Sequence, residues 1–119
     1  MGIIYVVGLG AGEIEQMPLG VYRLFERHAR IFLRTKEHPA VRALEAEGLQ
    51  YKSFDDLYES TKHFDETYER IVQALMQAAE VGDLLYAVPG HPSVAEKTVQ
   101  LLQYAAQGTN ISIQIVGGQ

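Results

Sequence analysis

Ile3-Ile4-Tyr5-Val6-Val7-Gly8-Leu9-Gly10-Ala11-Gly12-Glu13 is a β-branched and aromatic run that breaks directly into alternating glycines. Both alternating faces of residues 3–7 are apolar, as in a central strand covered by helices on two sides. The same pattern recurs at Leu84 to Val88, which ends at Pro89-Gly90-His91-Pro92. Between these two strands Pro18 opens a helix that carries Val21, Tyr22, Phe25 and Ala29 inward and runs to about His28. Ile31 to Leu33 is a short strand, and Pro39 opens a helix with Val41 and Leu44 inward that stops at Gly48. Leu49 to Phe54 reads as a weaker strand and Asp55 to Ser60 as a helical turn. Asp65 and Glu66 suit the positive end of a helix whose inward positions are Tyr68, Ile71, Val72, Leu75 and Ala79. The spacing of Val94, Ala95, Thr98, Leu101, Leu102 and Ala105 predicts a helix from Pro92 to Gln107. Ile111, Ile113 and Ile115, alternating with Ser112 and Gln114, give a half-exposed edge strand. Strands alternating with helices imply right-handed crossovers, so the class is α/β: a mainly parallel five-stranded sheet with helices on both faces.

The chain has 119 residues, near the usual size of one domain, and residues 1–119 are read as a single α/β domain. It is 47% hydrophobic and 21% charged, well within the globular range. Its net charge of −5 disfavours a nucleic-acid partner. Cysteine is absent, which removes disulfides, thiolate nucleophiles and Cys-based zinc sites together and is compatible with a cytoplasmic setting. The first apolar run is too short to span a membrane, and the start lacks the basic residues of a secretion signal. Gly2 begins like a myristoylation signal, but Val6 stands where Ser or Thr is preferred. The chain stops at Val116-Gly117-Gly118-Gln119, directly after a strand, where α/β proteins begin a functional loop; a fragment of a longer protein is expected.

Ligands of open α/β sheets collect beyond the carboxyl ends of the strands, so the loops after the first, fourth and fifth strands carry the candidate chemistry. In Gly8-Leu9-Gly10-Ala11-Gly12-Glu13 the spacing is GxGxG, not GxGxxG, and Glu13 to Met17 separate the glycines from the helix. A dinucleotide site is therefore disfavoured, and no Walker pattern is present. In Val88-Pro89-Gly90-His91-Pro92-Ser93-Val94 two prolines bracket Gly90-His91, which suits a rigid pocket wall. His91 in such a turn is more often a helix cap than a catalyst. His28, His38 and His63 lack metal-ligand spacing, so no metal is assigned. Asp55, Asp56, Glu59, Asp65, Glu66 and Glu69 read as a solvated face. There is no GxSxG elbow, and no catalytic residue is assigned.

These loops resemble the signatures of the tetrapyrrole (corrin/porphyrin) methylases. The first resembles that family's GxGPGD loop, the second its Gly-Asp-Pro segment, and Ile115-Val116-Gly117-Gly118 the start of its third motif. Tyr86-Ala87-Val88-Pro89-Gly90-His91-Pro92 is most similar to the methylase-like N-terminal half of bifunctional proteins that also carry a MazG-type nucleotide pyrophosphohydrolase. The resemblance implies two α/β domains with S-adenosylmethionine in the cleft between them, of which this chain is the first. It implies cofactor contacts at Ala11, Pro89, Gly90, His91 and Val94. It also implies that Gly8, Leu9, Gly10 and Gly12 face the acceptor, a small molecule with a tetrapyrrole as the default. Two departures stand out: Ala11 replaces proline and His91 replaces aspartate. The leading expectation is the N-terminal domain of a methyltransferase, with the second methylase domain, a MazG-type domain and a second copy in a homodimer as expected partners. The alternative is a module that has lost methylation and senses a nucleotide or adenosyl ligand for a fused hydrolase.

Overall fold

The computed structural model describes residues 2–10, 19–28, 30–90 and 97–116. Strands β1 (Ile3–Gly8), β2 (Ile31–Leu33), β3 (Lys52–Ser53), β4 (Leu84–Val88) and β5 (Ser112–Val116) form one parallel sheet in the order β3-β2-β4-β1-β5. The middle of that order explains the two continuous apolar runs. β4 is buried at every residue and β1 nearly so, because each has a strand on both sides and helices above and below.

Side chains alternate across the sheet and build two core layers. On one face Ile4, Val6, Leu84, Tyr86 and Val88 meet Ile71, Val72 and Leu75 of α4 (Phe64–Ala79) and Val99 and Leu102 of α5 (Lys97–Ala106). On the other, Val7, Leu33, Leu85 and Ala87 meet Val21 and Phe25 of α1 (Leu19–Arg27) and Val41 and Leu44 of α2 (Pro39–Ala46). The short α3 (Asp55–Ser60) packs beside α4. Tyr86 and Thr98 are fully buried, and their hydroxyls pair at 2.9 Å, tying β4 to α5 without an orphaned polar group.

Three expectations need correction. The strand expected over Leu49 to Phe54 shrinks to Lys52–Ser53, since its partner β2 offers only Ile31–Leu33. Leu49 and Tyr51 are apolar because they pack against the α1/α2 layer, not because they pair. In α4 the buried polar position is Thr67, whose hydroxyl donates to the His63 carbonyl at 3.1 Å, while Tyr68 is only half-buried. In α5 the buried stripe runs through Thr98, Val99, Leu102 and Ala106, with Leu101 and Ala105 half-buried, so its inward face is rotated from the expected one. Val94 and Ala95 lie outside the described residues. Among the described residues, no helix is long and apolar enough to cross a membrane.

The crossovers place the candidate site. β1 and β2 lead to helices on the α1/α2 face, whereas β3 and β4 lead to helices on the α4/α5 face. β1 and β4 are neighbours and the helices that follow them, α1 and α5, lie on opposite faces, so the carboxyl ends of these two strands are the topological switch point where open α/β sheets bind ligands.

Candidate functional site

At that rim the register of β1 and β4 ends with Gly8 opposite Val88. The Leu9 amide donates to the Val88 carbonyl at 2.8 Å. One step further, Gly10 and Gly90 exchange two backbone hydrogen bonds, each 3.1 Å long. The loops that leave two parallel strands thus meet as an antiparallel bridge. The reversal needs left-handed backbone at both residues, with φ of +73° at Gly10 and +69° at Gly90, and only glycine takes that conformation cheaply. Among the described residues, a Cβ built on either glycine would meet nothing within 4 Å. The two residues therefore form a backbone shelf on which no side chain of the described residues intrudes. Pro89 fixes the approach of one loop and contributes no amide donor.

Of the residues with expected cofactor contacts, Pro89 and Gly90 lie on this shelf, both half-buried. Of those expected to face the acceptor, Gly8 and Leu9 are buried and Gly10 is exposed. The Leu9 side chain, 2% exposed, packs into the α1/α2 layer, so only its backbone reaches the rim. Ala11, Gly12, His91 and Val94 lie outside the described residues.

Two residues with no role assigned from the sequence, His38 without metal-ligand spacing and Asp55 on an expected solvated face, belong to the same rim. His38 is the N-cap of α2: its Nδ1 accepts the Ala40 amide at 3.0 Å, and its Nε2 lies 2.6 Å from the Gly10 carbonyl oxygen. Asp55, just past β3, fastens the loop after β2. One carboxylate oxygen accepts from the Thr35 hydroxyl at 2.7 Å and the other from the Lys36 amide at 3.0 Å. The Thr35 hydroxyl in turn accepts the Glu37 amide at 3.1 Å. The acidic stretch is thus not uniformly a solvated face. The signal for His38 was its place immediately before Pro39, an N-cap position. Nothing local marks Asp55, whose partners lie about twenty residues away in the chain.

Burial alone would raise the Asp55 carboxyl. The bonds from the Thr35 hydroxyl, the Lys36 amide and Ser53, together with the Lys36 charge, outweigh it and hold the group below its ordinary value of 3.8. A carboxyl depressed in the folded state contributes stability that is complete above the unfolded value and is lost as the pH falls through the lower folded one. Thermal melts at pH 7 and pH 3 should therefore show a larger loss for the native chain than for Asp55→Asn. At pH 7 the substitution should cost under about 1 kcal/mol, because the pair is partly solvent-screened. An identical pH dependence in both proteins would contradict this role.

A competing concavity of about 460 Å³ lies at the opposite rim, between the ends of α1 and α2, lined by Tyr22, His28, Glu47 and neighbours. Two of its lining residues are paired by a hydrogen bond from the Tyr22 hydroxyl to Glu47, which raises the Tyr22 hydroxyl's pKa. Among the described residues no group of three or more His, Asp or Glu is arranged to hold a metal ion.

Comparison with known proteins adds two findings. The family described as Tetrapyrrole (Corrin/Porphyrin) Methylases matches residues 3–118. The uncharacterized protein YabN of Bacillus subtilis (strain 168) is 45% identical over 118 residues, which is 99% of this chain and 24% of that protein. The chain thus spans about a quarter of the relative's length.

Proposed function

Because the chain belongs to the tetrapyrrole methylase family, we propose that its glycine rim is one half of an S-adenosylmethionine cleft in a methyltransferase, with a tetrapyrrole as the default acceptor. The observation that carries this reading is the reciprocal Gly10–Gly90 bridge at the switch point between β1 and β4. Its two glycines carry no side chains themselves, so a flat adenosyl group can approach the backbone there directly. The described residues fit that ligand: Gly90 on the cofactor side and Gly10, expected on the acceptor side, carry no side chain, and Pro89 stiffens one wall. When bound, S-adenosylmethionine supplies an electrophilic methyl group whose transfer is an in-line displacement. This domain's task is therefore to position, and no nucleophilic side chain is required of it. Ala11, His91 and Val94 complete the proposed contacts on this side; the facing wall comes from a second domain.

Calorimetry of the full-length protein with S-adenosylmethionine and S-adenosylhomocysteine tests the reading. Saturable binding of both is expected; silence with both would end it. Residues 1–119 alone should bind only weakly, since half the cleft is missing, and submicromolar affinity for them would contradict the shared-cleft arrangement.

His91, standing where the resembled motif has aspartate, favours a second reading. In it the same rim senses a nucleotide or adenosyl ligand for a fused MazG-type hydrolase. Ligand binding without methyl transfer to any porphyrin or corrin, together with a ligand-dependent change in hydrolase rate, would favour it over the first.

A further inference from the structure

The Gly10 carbonyl is used twice. It accepts the Gly90 amide at 3.1 Å and faces the His38 Nε2 at 2.6 Å. The state of the imidazole follows from its partners. The Ala40 amide can only donate, so the Nδ1 that receives it carries the lone pair, and in the neutral ring Nε2 bears the proton and donates to Gly10. A carbonyl oxygen has two lone pairs, and both are now engaged.

β2 and β1 are not neighbours, because β4 lies between them. His38, carried on the connection from β2 to α2, therefore reaches past the end of β4 to the loop after β1. It joins three loops of the rim through one side chain that is itself held by a helix cap. We propose that His38 is the latch that holds the Gly10–Gly90 bridge closed, and so is the positioning residue of the shelf that receives the adenosyl ligand. The second half of that statement rests on the cofactor reading above; the latch itself does not.

Two substitutions in the full-length protein separate the latch from the cap. Asparagine is a strong N-cap and keeps the bond to Ala40, but it is too short to reach Gly10; alanine loses both contacts. Without ligand, His38→Asn should speed hydrogen exchange of the Gly10 and Gly90 amides by about tenfold and lower the melting temperature only by what that one bond contributes, and His38→Ala, which also loses the cap, should speed exchange and lower the melting temperature further. In the native protein the imidazole ¹⁵N signals should show the proton on Nε2. With S-adenosylhomocysteine as probe, both variants should bind about tenfold more weakly.

Unchanged exchange in His38→Asn, or a proton on Nδ1, would overturn the latch. Faster exchange with unchanged affinity would overturn its positioning role. If the native protein does not bind S-adenosylhomocysteine, the cofactor reading and the positioning role fall, and the exchange data still decide whether the latch exists.

Discussion

Gly90→Val is expected to weaken S-adenosylhomocysteine binding by the full-length protein by about 100-fold or more, with only a modest loss of thermal stability. At φ +69° a β-branched residue sits in left-handed backbone that costs about 1–2 kcal/mol, and relaxing it separates Gly90 from Gly10, with loss of two hydrogen bonds. No described residue lies within 4 Å of its Cβ, and the space a side chain would enter is the shelf itself. Strain, lost bridge and filled space thus act together on one surface. Gly48→Val is the control: Gly48 has φ +95°, has no described residue within 4 Å of its Cβ and follows α2 at the opposite rim. It should lower stability comparably and leave affinity unchanged. Equal loss of affinity in both variants would mean that the effect is general destabilisation.

Gly2→Ala should be the most destabilising of the conservative substitutions, by about 3 kcal/mol, lowering the melting temperature by roughly 10 °C or more. A Cβ on Gly2 would lie 2.3 Å from the Ala79 carbonyl oxygen and 2.5 Å from that of Gly82, both backbone atoms that cannot swing aside. The place is fixed from every side. The Gly2 carbonyl accepts the Ser112 amide at 3.1 Å, and the Ile3 amide donates to Asp83 Oδ1 at 2.8 Å. Arg30 bonds the Ala78 carbonyl and, at 3.3 Å, that of Asp83. Gly20→Ala offers the contrast, because Gly20 is exposed on α1 and no described residue lies within 4 Å of its Cβ; there alanine should be neutral or slightly stabilising in a thermal melt. A Gly2→Ala protein melting within about 2 °C of the native one would contradict the close packing of the β1 entry against the turn before β4.

Elements whose burial is dictated from both sides were legible from residue order. β1 and β4 are apolar on both faces because helices cover both. Ile31–Leu33 was bounded correctly, and Gly48 stops α2 in the left-handed region as its position implied. Legibility fails where apolar character has a different cause. Leu49 and Tyr51 mimic a strand because they cover the α1/α2 layer, and Thr67 hides in the core because its hydroxyl is satisfied by a carbonyl of its own first turn. At the rim, glycine and proline announce their loops through backbone chemistry that is local. His38 and Asp55 do not, because their roles depend on partners brought close only by the order β3-β2-β4-β1, with 28 residues separating His38 from Gly10.

The most direct measurement is a map of amide chemical shifts of the full-length protein, titrated with S-adenosylhomocysteine. If the switch-point shelf receives the ligand, the largest shifts within residues 1–119 fall on Leu9, Gly10 and Gly90, with His38 following. Saturable shifts centred instead on Tyr22, His28 and Glu47 at the opposite rim, with Gly10 and Gly90 unmoved, would contradict the account.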